Sequence, residues 1–441
     1  MKNIFKINYS NIPNHVKVAA VSWTCKIITA SIQVISIRLL ITNLGAEQYA
    51  GYAILTSLIS WFSLFEFGLS PSLQNFISES RASNRDFNSY LQATVPILLL
   101  ILLIAIFFVS IISAPLQIFL FKKVSDDLLS EPLYLVGVVG FLYSITALCG
   151  IAYKVYYAEQ KGHLANIYPA IGSILSFILL LIFGHFGVLK DNLKFALLIM
   201  IMPTTCIAAY AFYDVFLKNK KINVFKFDSH LAKIILSRAY RFAGFSFFST
   251  IVLQVDYIVM SRVIDAHGIT QYNLIAKVYF LIFFIYSTML FALWPTCTEL
   301  MEKRNITKVY KLVTTNMLFG WLVVIAGTVM FLFTNELIAK VLTGGEFSSL
   351  PKLTIILFGA YYCIRVWSDM FAMLLQSINK MKVFWIYAPF MCFISVVGQY
   401  FFGKMWGING ILIGLMLAFL ATSTWILPIT LKKVVNRYYL K

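Results

Sequence analysis

Seven ionisable side chains lie inside long apolar stretches of this sequence, where charge is rare. They are Lys26, Arg38, Lys277, Arg365, Glu66, Asp256 and Asp369. A charge at the centre of a membrane-spanning helix costs about 2.5 to 3.5 kcal/mol, so such side chains avoid the lipid tails. We therefore expect them to face a water-filled cavity or to pair with one another. They are the candidate functional residues of the chain.

Helical spacing places Lys26 on a polar stripe of the first apolar stretch. At 100° per residue, Ser22, Lys26, Thr29 and Gln33 fall within one narrow face. This helix offers Lys26 no acidic partner, which favours a role in binding substrate or in coupling. Arg38 projects about 120° away from Lys26. Near the predicted outer end of the helix, it can extend to the membrane interface instead of binding a ligand.

A second polar stripe surrounds Arg365, which shares a helix face with Tyr361, Asp369 and Gln376. Arg365 and Asp369 are four residues apart. They can form a purely structural ion pair, or they can bind the substrate. The same two alternatives hold for Lys277 and Asp256. Further stripes pair Ser249 with Asp256, and Asn273 with Lys277.

Glu66 lies near the inner end of the second apolar stretch, just before Gly68 and Pro71. It is either a polar residue at a helix end or a gating residue.

The elements that carry these residues are predicted to be transmembrane helices. With 60% hydrophobic and 12% charged residues in 441, the chain has more apolar surface than one water-soluble core could bury. A span needs about 20 apolar residues, and a barrel's alternation is absent, so we expect about twelve helices. The predicted spans are 18–41, 47–70, 91–112, 132–153, 164–184, 194–216, 242–264, 271–294, 313–334, 353–376, 383–402 and 408–431.

The basic residues predict the topology. About 24 of the 36 Lys and Arg residues fall at the N-terminus and in every second loop, against about 8 in the opposite loops, which places both termini in the cytoplasm. The densest cluster predicts a basic cytoplasmic linker, 218–241, between two six-helix bundles, 1–217 and 242–441. Its members are Lys218, Lys220, Lys221, Lys226, Lys233, Arg238 and Arg241.

The two halves resemble a repeat. At an offset of about 223 residues, three positions after span 1 match three positions after span 7. The pairs are Gly45 with Gly268, Gln48 with Gln271, and Tyr49 with Tyr272. Two similarly oriented halves are typical of alternating-access carriers with a site between the halves.

Enzymatic and metal-binding signatures are missing. The six cysteines are scattered singly without a CxxC pair, and the five histidines lie in loops or at span ends. No Walker A, GxSxG or HExxH motif is present. We therefore expect neither catalysis, nor a bound metal, nor an organic cofactor.

Several motifs resemble a known family. RLLITNLGAEQYAGY (38–52) and FEFGLSPSLQNFI (65–77) resemble the opening helices of the Wzx-type O-antigen flippases. These belong to the polysaccharide-transport branch of the MOP exporter superfamily. QVDYIVMSRVIDAHGITQY (254–272) and ALWPTCTELMEK (292–303) are similar to the same family's seventh and eighth helices. The resemblance extends over the whole chain in span number, length and polarity.

The resemblance implies an all-α integral membrane fold of the MATE/MOP type, with two six-helix bundles around a largely cationic cavity. The substrate would be an undecaprenyl-diphosphate-linked repeat unit of a bacterial surface polysaccharide, carried across the inner membrane. Membrane lipid, a polysaccharide polymerase and chain-length proteins are the expected partners. The basic residues behind the net charge of +18 are distributed as membrane topology requires, so a nucleic-acid partner is not expected.

Within such a cavity, Lys26 and Arg365 would hold the diphosphate through charge-assisted hydrogen bonds, with Lys277 assisting and Arg38 completing the basic set. The acids would bind a coupling proton or sodium ion, or keep the empty cavity neutral. Those acids are Glu66, Asp256 and Asp369.

Other classes fit less well. A multidrug antiporter of the same fold should carry an acid in the first helix, where this chain has Lys26 and Arg38. A lipid II flippase is expected to have fourteen helices, two more than this chain supplies. A polysaccharide polymerase or O-acyltransferase should have a large catalytic outer loop, whereas the longest predicted outer joint, 113–131, is short.

Overall fold

The computed structural model describes residues 14–82, 84–122, 124, 135–159, 161–218, 228–302, 304–378, 380 and 382–438. Lys220, Lys221 and Lys226 of the predicted basic linker lie outside the described residues. All regular elements of the described part are helical. They are α1 (Asn14–Ser57), α2 (Ile59–Phe62), a 3-10 turn (Ser63–Glu66), α3 (Leu69–Ala82), α4 (Asn88–Phe121), α5 (Leu135–Cys149), α6 (Ile151–Ala158), α7 (Gly162–His185), α8 (Leu193–Phe212), a π turn (Tyr213–Leu217), α9 (Ser229–Val263), α10 (Ala266–Glu302), α11 (Ile306–Phe333), α12 (Asn335–Thr343), α13 (Lys352–Ser377), α14 (Lys382–Ala421) and α15 (Ser423–Tyr438).

Ten helical stretches of the described chain are long and apolar enough to cross a membrane. Two of them, Trp23–Glu66 with 44 residues and Lys382–Asn436 with 55, are each long enough for two crossings. The first is broken at Gly45, whose φ is +71°, and the second at Gly407, whose φ is +59°. These positive φ values favour glycine because a Cβ atom strains that backbone conformation. Divided at these two breaks, the ten stretches are long enough for the predicted twelve crossings, and the all-helical part of the predicted fold class is confirmed.

Several helices extend beyond the predicted spans. α4 continues to Phe121, although the third span was predicted to end at residue 112. α9 begins at Ser229, so the C-terminal half of the predicted linker, 218–241, is helical. Hydropathy marks the part of a helix that contacts lipid. The helix itself extends as far as its backbone hydrogen bonds are formed, which can be beyond the apolar part.

The chain divides into two compact units. Unit 1 comprises Met1–Leu39, Trp61–Ala114 and Tyr134–Gly244. Unit 2 comprises Leu40–Ser60, Pro115–Leu133 and Phe245–Lys441. Lys26, Arg38 and Glu66 thus fall in unit 1. The other four candidate residues fall in unit 2.

Unit 1 has a core in which α3 and the first turns of α9 bury aliphatic side chains, among them Leu73 and Ile235. On the same face, Arg238 forms an ion pair of 2.7 Å with Glu79 and lies 4.6 Å from the centre of the Phe76 ring. The hydrogen bonds from Arg238 lower the pKa of the exposed Glu79 carboxyl below its usual range. Arg238, predicted as part of a basic linker, therefore also fixes α9 against α3.

Gly68 sets how closely α3 approaches α9. Its φ is +70°, and an added Cβ would collide with the carbonyl oxygen of Ala239. Gly187 has the same φ of +70° but open space around it, so it is a matched control. A side chain at either glycine carries a backbone penalty of about 1 to 2 kcal/mol, and Gly68 adds the collision.

We expect Gly68→Ala to lower the melting temperature in detergent and the membrane abundance much more than Gly187→Ala. Fluorescence-detected size-exclusion chromatography gives the abundance of each variant before heating and its melting temperature from the fraction that remains after heating. Equal losses in the two variants would contradict close packing at Gly68.

In unit 2, three helices pack tightly around tyrosines of α10. The Tyr279 hydroxyl donates to the carbonyl oxygen of Ile355 on α13 at 2.7 Å. The Tyr286 hydroxyl donates to the carbonyl oxygen of Val366 at 3.0 Å. Gly320 of α11 leaves room for the Tyr286 ring. These contacts fix α13, and with it Arg365, relative to α10.

The C-terminal part of α1 also belongs to unit 2 and is held at its break. The Ala46 N–H donates to Glu346 Oε1 at 2.8 Å, and its carbonyl oxygen accepts from Thr270 Oγ1 at 2.8 Å. Both groups become available because the helix is interrupted at Gly45. The segment after the break is thereby fixed next to α10.

Candidate functional site

A cavity of about 390 Å³ lies within unit 2 and is mostly lined by polar and aromatic side chains. We call it the polar cavity. It is formed by the end of α1, by α2, and by α9, α10, α13 and α14. Its lining includes Thr56, Ser57, Gln254, Asp256, Tyr257, Tyr272, Asn273, Lys277, Tyr361, Tyr362 and Arg365. Three of the seven candidate residues therefore meet at one cavity, although the sequence separates them by up to about a hundred positions.

Arg365 is anchored from its own helix. Its guanidinium donates to both oxygens of Asp369, at 2.8 to 3.2 Å, and to the Tyr361 hydroxyl at 3.0 Å. The rings of Phe283 and Phe419 lie 5.5 and 5.7 Å from its central carbon. The predicted pair at i and i+4 is formed, and it neutralises most of the charge of Arg365.

Asp256 is buried, with 8% of its surface exposed. Its Oδ2 accepts from the Tyr272 hydroxyl at 2.8 Å, and its Oδ1 accepts from the backbone N–H of Tyr257 at 2.9 Å. A buried carboxyl requires such donors because water is not available to it.

Lys277 lines the same cavity and is half-buried. Within the described residues, no carboxylate lies within ion-pair distance of its ammonium, and it makes no hydrogen bond to a protein group. The alternative in which Lys277 pairs with Asp256 is therefore not the one formed. Lys277 supplies an uncompensated positive charge to the cavity.

A second cavity, of about 280 Å³, is lined by both members of the ion pair. Its lining is Phe283, Ser287, Leu290, Arg365, Asp369, Ala372, Met373 and Gln376. Arg365 lines both cavities, so the Arg365–Asp369 pair forms part of the wall between them.

The three candidate residues of unit 1 are described by their own surroundings. Lys26 and Arg38 are exposed on α1. Glu66 ends the 3-10 turn and accepts a hydrogen bond from Ser70 Oγ at 2.6 Å. Neither cavity described here contains any of the three in its lining. Their roles as substrate or coupling residues stay predictions.

Charge alone did not reveal the tyrosines around the cavity. Tyr49 and Tyr272 are almost completely buried, and their hydroxyls donate to Asn273 and to Asp256. These are the two tyrosines that the internal repeat aligned, so the repeat was the signal that could have found them. Tyr257 carried no signal in the sequence beyond its position next to Asp256.

Comparison with known proteins gives the chain a family. The family model described as polysaccharide biosynthesis protein matches residues 16–301. The chain belongs to this family. The match includes Lys277 and Asp256 and ends before Arg365. The predicted resemblance to polysaccharide flippases is thereby confirmed at the level of the family.

Two relatives of the family are similar over nearly their whole length. A provisionally named O-antigen transporter of Salmonella typhimurium is 36% identical over 96% of this chain and 98% of its own. A provisionally named O-antigen export protein of Yersinia pseudotuberculosis is 33% identical over 97% and 98%. Both relatives are named for transport.

Solved structures identify the fold. An inward-facing multidrug MATE transporter of the MOP superfamily superposes with a TM-score of 0.75 at 15% identity, covering 93% of this chain and 96% of its own. The lipid II flippase MurJ superposes with a TM-score of 0.66 at 15% identity, covering 95% and 87%. The chain is thus a multi-pass membrane protein with the predicted MATE/MOP-like fold.

Proposed function

We propose that the chain is a flippase for an undecaprenyl-diphosphate-linked oligosaccharide, the repeat unit of an O-antigen or a related surface polysaccharide. It moves this lipid from the cytoplasmic to the periplasmic leaflet of the bacterial inner membrane by alternating access. The observation that carries the proposal is the similarity, along nearly the whole chain, to relatives named for O-antigen transport and export. The proposed role is transport without catalysis.

The chemistry of the polar cavity supports this substrate. A diphosphate carries about two negative charges and is attached to a tail that stays in the bilayer. To cross the membrane it therefore needs positively charged side chains within the membrane-spanning part of the protein. Lys277 offers a charge that no acid compensates, and Arg365 offers the guanidinium hydrogens that Asp369 and Tyr361 leave unused. Within unit 2, Lys277 is therefore the main contact and Arg365 the secondary one. Lys26 and Arg38 are further proposed contacts of the diphosphate, from the sequence.

The remaining features of the cycle extend this proposal. Both termini would lie in the cytoplasm, as the basic loops indicate. A proton or sodium gradient would drive the cycle through Glu66, Asp256 and Asp369, and a potential of 100 mV is worth about 2.3 kcal/mol per charge. A polysaccharide polymerase and chain-length proteins would receive the product in the periplasm.

Deletion of the gene in its own host tests the proposal. We expect long-chain surface polysaccharide to disappear and the lipid-linked repeat unit to accumulate in the inner leaflet. A plasmid copy should restore the polysaccharide, and the empty plasmid is the control. Gel electrophoresis of surface polysaccharide, with an immunoblot for membrane abundance, reports the result. An abundant chain that restores no polysaccharide but raises resistance to organic cations would identify a drug antiporter instead.

A further inference from the structure

The Tyr49 hydroxyl fixes the orientation of a neighbouring amide. Tyr49 is 1% exposed, and among the described residues its hydroxyl has one hydrogen-bond partner, Asn273 Oδ1 at 2.8 Å. A buried hydroxyl donates its proton where an acceptor is within reach, because an unpaired buried donor costs about 1 to 3 kcal/mol. The oxygen of Asn273 therefore faces Tyr49, and its amide nitrogen points the other way.

That nitrogen determines what the Tyr257 hydroxyl can do. Asn273 Nδ2 donates to Tyr257 Oη at 2.5 Å. The Tyr257 oxygen accepts this bond, so its own proton is left for another acceptor. Among the described residues no group takes that proton, and Tyr257 lines the polar cavity. The chain from Tyr49 through Asn273 thus presents Tyr257 to the cavity as a hydrogen-bond donor.

Two more tyrosines act in the same way. Tyr361 Oη accepts from Arg365 Nη1, which can only donate, so the Tyr361 proton is also left over. The Tyr362 hydroxyl makes no hydrogen bond within the described chain and lines the same cavity. The Lys277 ammonium adds charged donors. Both oxygens of Asp256, the cavity's carboxylate, already accept hydrogen bonds from protein groups.

The polar cavity therefore offers three tyrosine hydroxyl protons and the charged donors of Lys277. Its neutral acceptors include the hydroxyl oxygens of Thr56 and Ser57, whose protons go to backbone carbonyl oxygens. A phosphoryl oxygen only accepts, and it gains most from donors supported by a positive charge. The charged donors of Lys277, with the tyrosine hydroxyl protons beside them, favour the phosphate part of a lipid-linked sugar over its sugars.

We infer that Tyr257, Tyr361 and Tyr362 bind the diphosphate of the substrate together with Lys277, and that Asn273 is a positioning residue that acts through Tyr257. This inference rests on the proposed function and assigns its site. Uncharged hydroxyls add contacts to the diphosphate without adding positive charge to the empty cavity. They therefore add nothing to the charge that the empty transporter has to desolvate when it returns.

Binding of farnesyl diphosphate to the purified full chain in phosphatidylcholine nanodiscs tests the inference, with farnesol as the probe for the tail alone. Loss of one hydrogen bond to a charged group weakens binding by about tenfold or more. We therefore expect Tyr257→Phe and Tyr362→Phe each to weaken farnesyl diphosphate binding by that factor and to leave farnesol binding unchanged. Tyr52→Phe is the matched control, because Tyr52 stacks on Tyr49 outside the cavity lining.

A double-mutant cycle separates positioning from contact. Asn273→Leu removes the group that orients Tyr257, so it should weaken binding in the wild-type background and have little further effect when Tyr257 is already Phe. Melting temperatures of all four proteins establish that the variants are folded. An Asn273→Leu effect of equal size in both backgrounds would contradict the positioning role.

The outcomes also distinguish this inference from the proposed function. If Tyr257→Phe/Tyr362→Phe binds farnesyl diphosphate as tightly as the wild type and still exports polysaccharide, the tyrosine site is wrong and the flippase stands. If the wild-type chain neither binds farnesyl diphosphate nor restores export, the proposed function is wrong. Equal competition by phosphatidylglycerol would contradict the assignment to a diphosphate.

Discussion

Arg365→Gln is expected to abolish export of surface polysaccharide and to reduce the amount of the protein in the membrane. The substitution removes three contacts from Asp369 and leaves its carboxylate unpaired in the cavity wall. Breaking a fully buried pair costs about 3 to 5 kcal/mol. The Asp369 side chain is 26% exposed and borders a cavity, so solvent reduces this figure, and we expect about 1 to 3 kcal/mol.

The double variant Arg365→Gln/Asp369→Asn separates structure from transport. Two neutral amides leave no unpaired charge, so abundance should return to near the wild-type value. Export should stay absent because the guanidinium that lines both cavities is still missing. Immunoblots and polysaccharide gels of the two variants provide the comparison. Normal export by the double variant would mean that the Arg365–Asp369 pair has a structural role only and is not part of the substrate site.

The sequence predicted the membrane fold well because its signal is repeated along the chain. Each crossing requires about 20 apolar residues, so hydropathy alone locates the spans. It located their ends less well. α4 continues past residue 112 through the uncharged stretch 113–121, and α9 begins at Ser229, before the predicted start at residue 242. A helix need not end where an apolar span does.

The sequence could predict site residues only where they are charged, because charged residues are rare in apolar stretches and therefore stand out. That rarity singled out Asp256, Lys277, Arg365 and Asp369, which the structure collects in one unit. It could not decide which of them pair, because helical spacing brings Arg365 to Asp369 but says nothing about contacts between helices. The sequence left Lys277 with Asp256 as an open alternative, and the structure instead gives Asp256 two other donors.

The helix face of Arg365 pointed to Tyr361, but the other tyrosines of the cavity were missed for a different reason. The chain has 24 tyrosines, so their type does not single out the few that line a cavity. Their role depends on hydrogen bonds between distant segments, such as Tyr49 with Asn273, 224 positions apart. Only the folded chain shows which hydroxyl protons are already used and which remain for a ligand.

Lys277→Met is the other substitution with a large expected effect, and here function and stability should move in opposite directions. Methionine has a similar length and no charge. Since Lys277 is half-buried without an acidic partner, removing its charge relieves a desolvation cost, so the melting temperature should stay equal or rise. Export should fall at least about tenfold, because the diphosphate loses its main charged contact in unit 2. Lys277→Arg should retain part of the export, since it keeps the charge.

Lys404→Met is the matched control for this substitution. Lys404 is an exposed lysine of the same unit whose ammonium lies 4.4 Å from the centre of the Tyr400 ring. It should leave both export and melting temperature close to the wild-type values. If a lysine is structural, its replacement lowers both the stability and the activity of the protein. If it serves a ligand, its replacement lowers only the activity. Retained export by an abundant Lys277→Met protein would therefore remove Lys277 from the site, and with it the charged centre of the proposed diphosphate contacts.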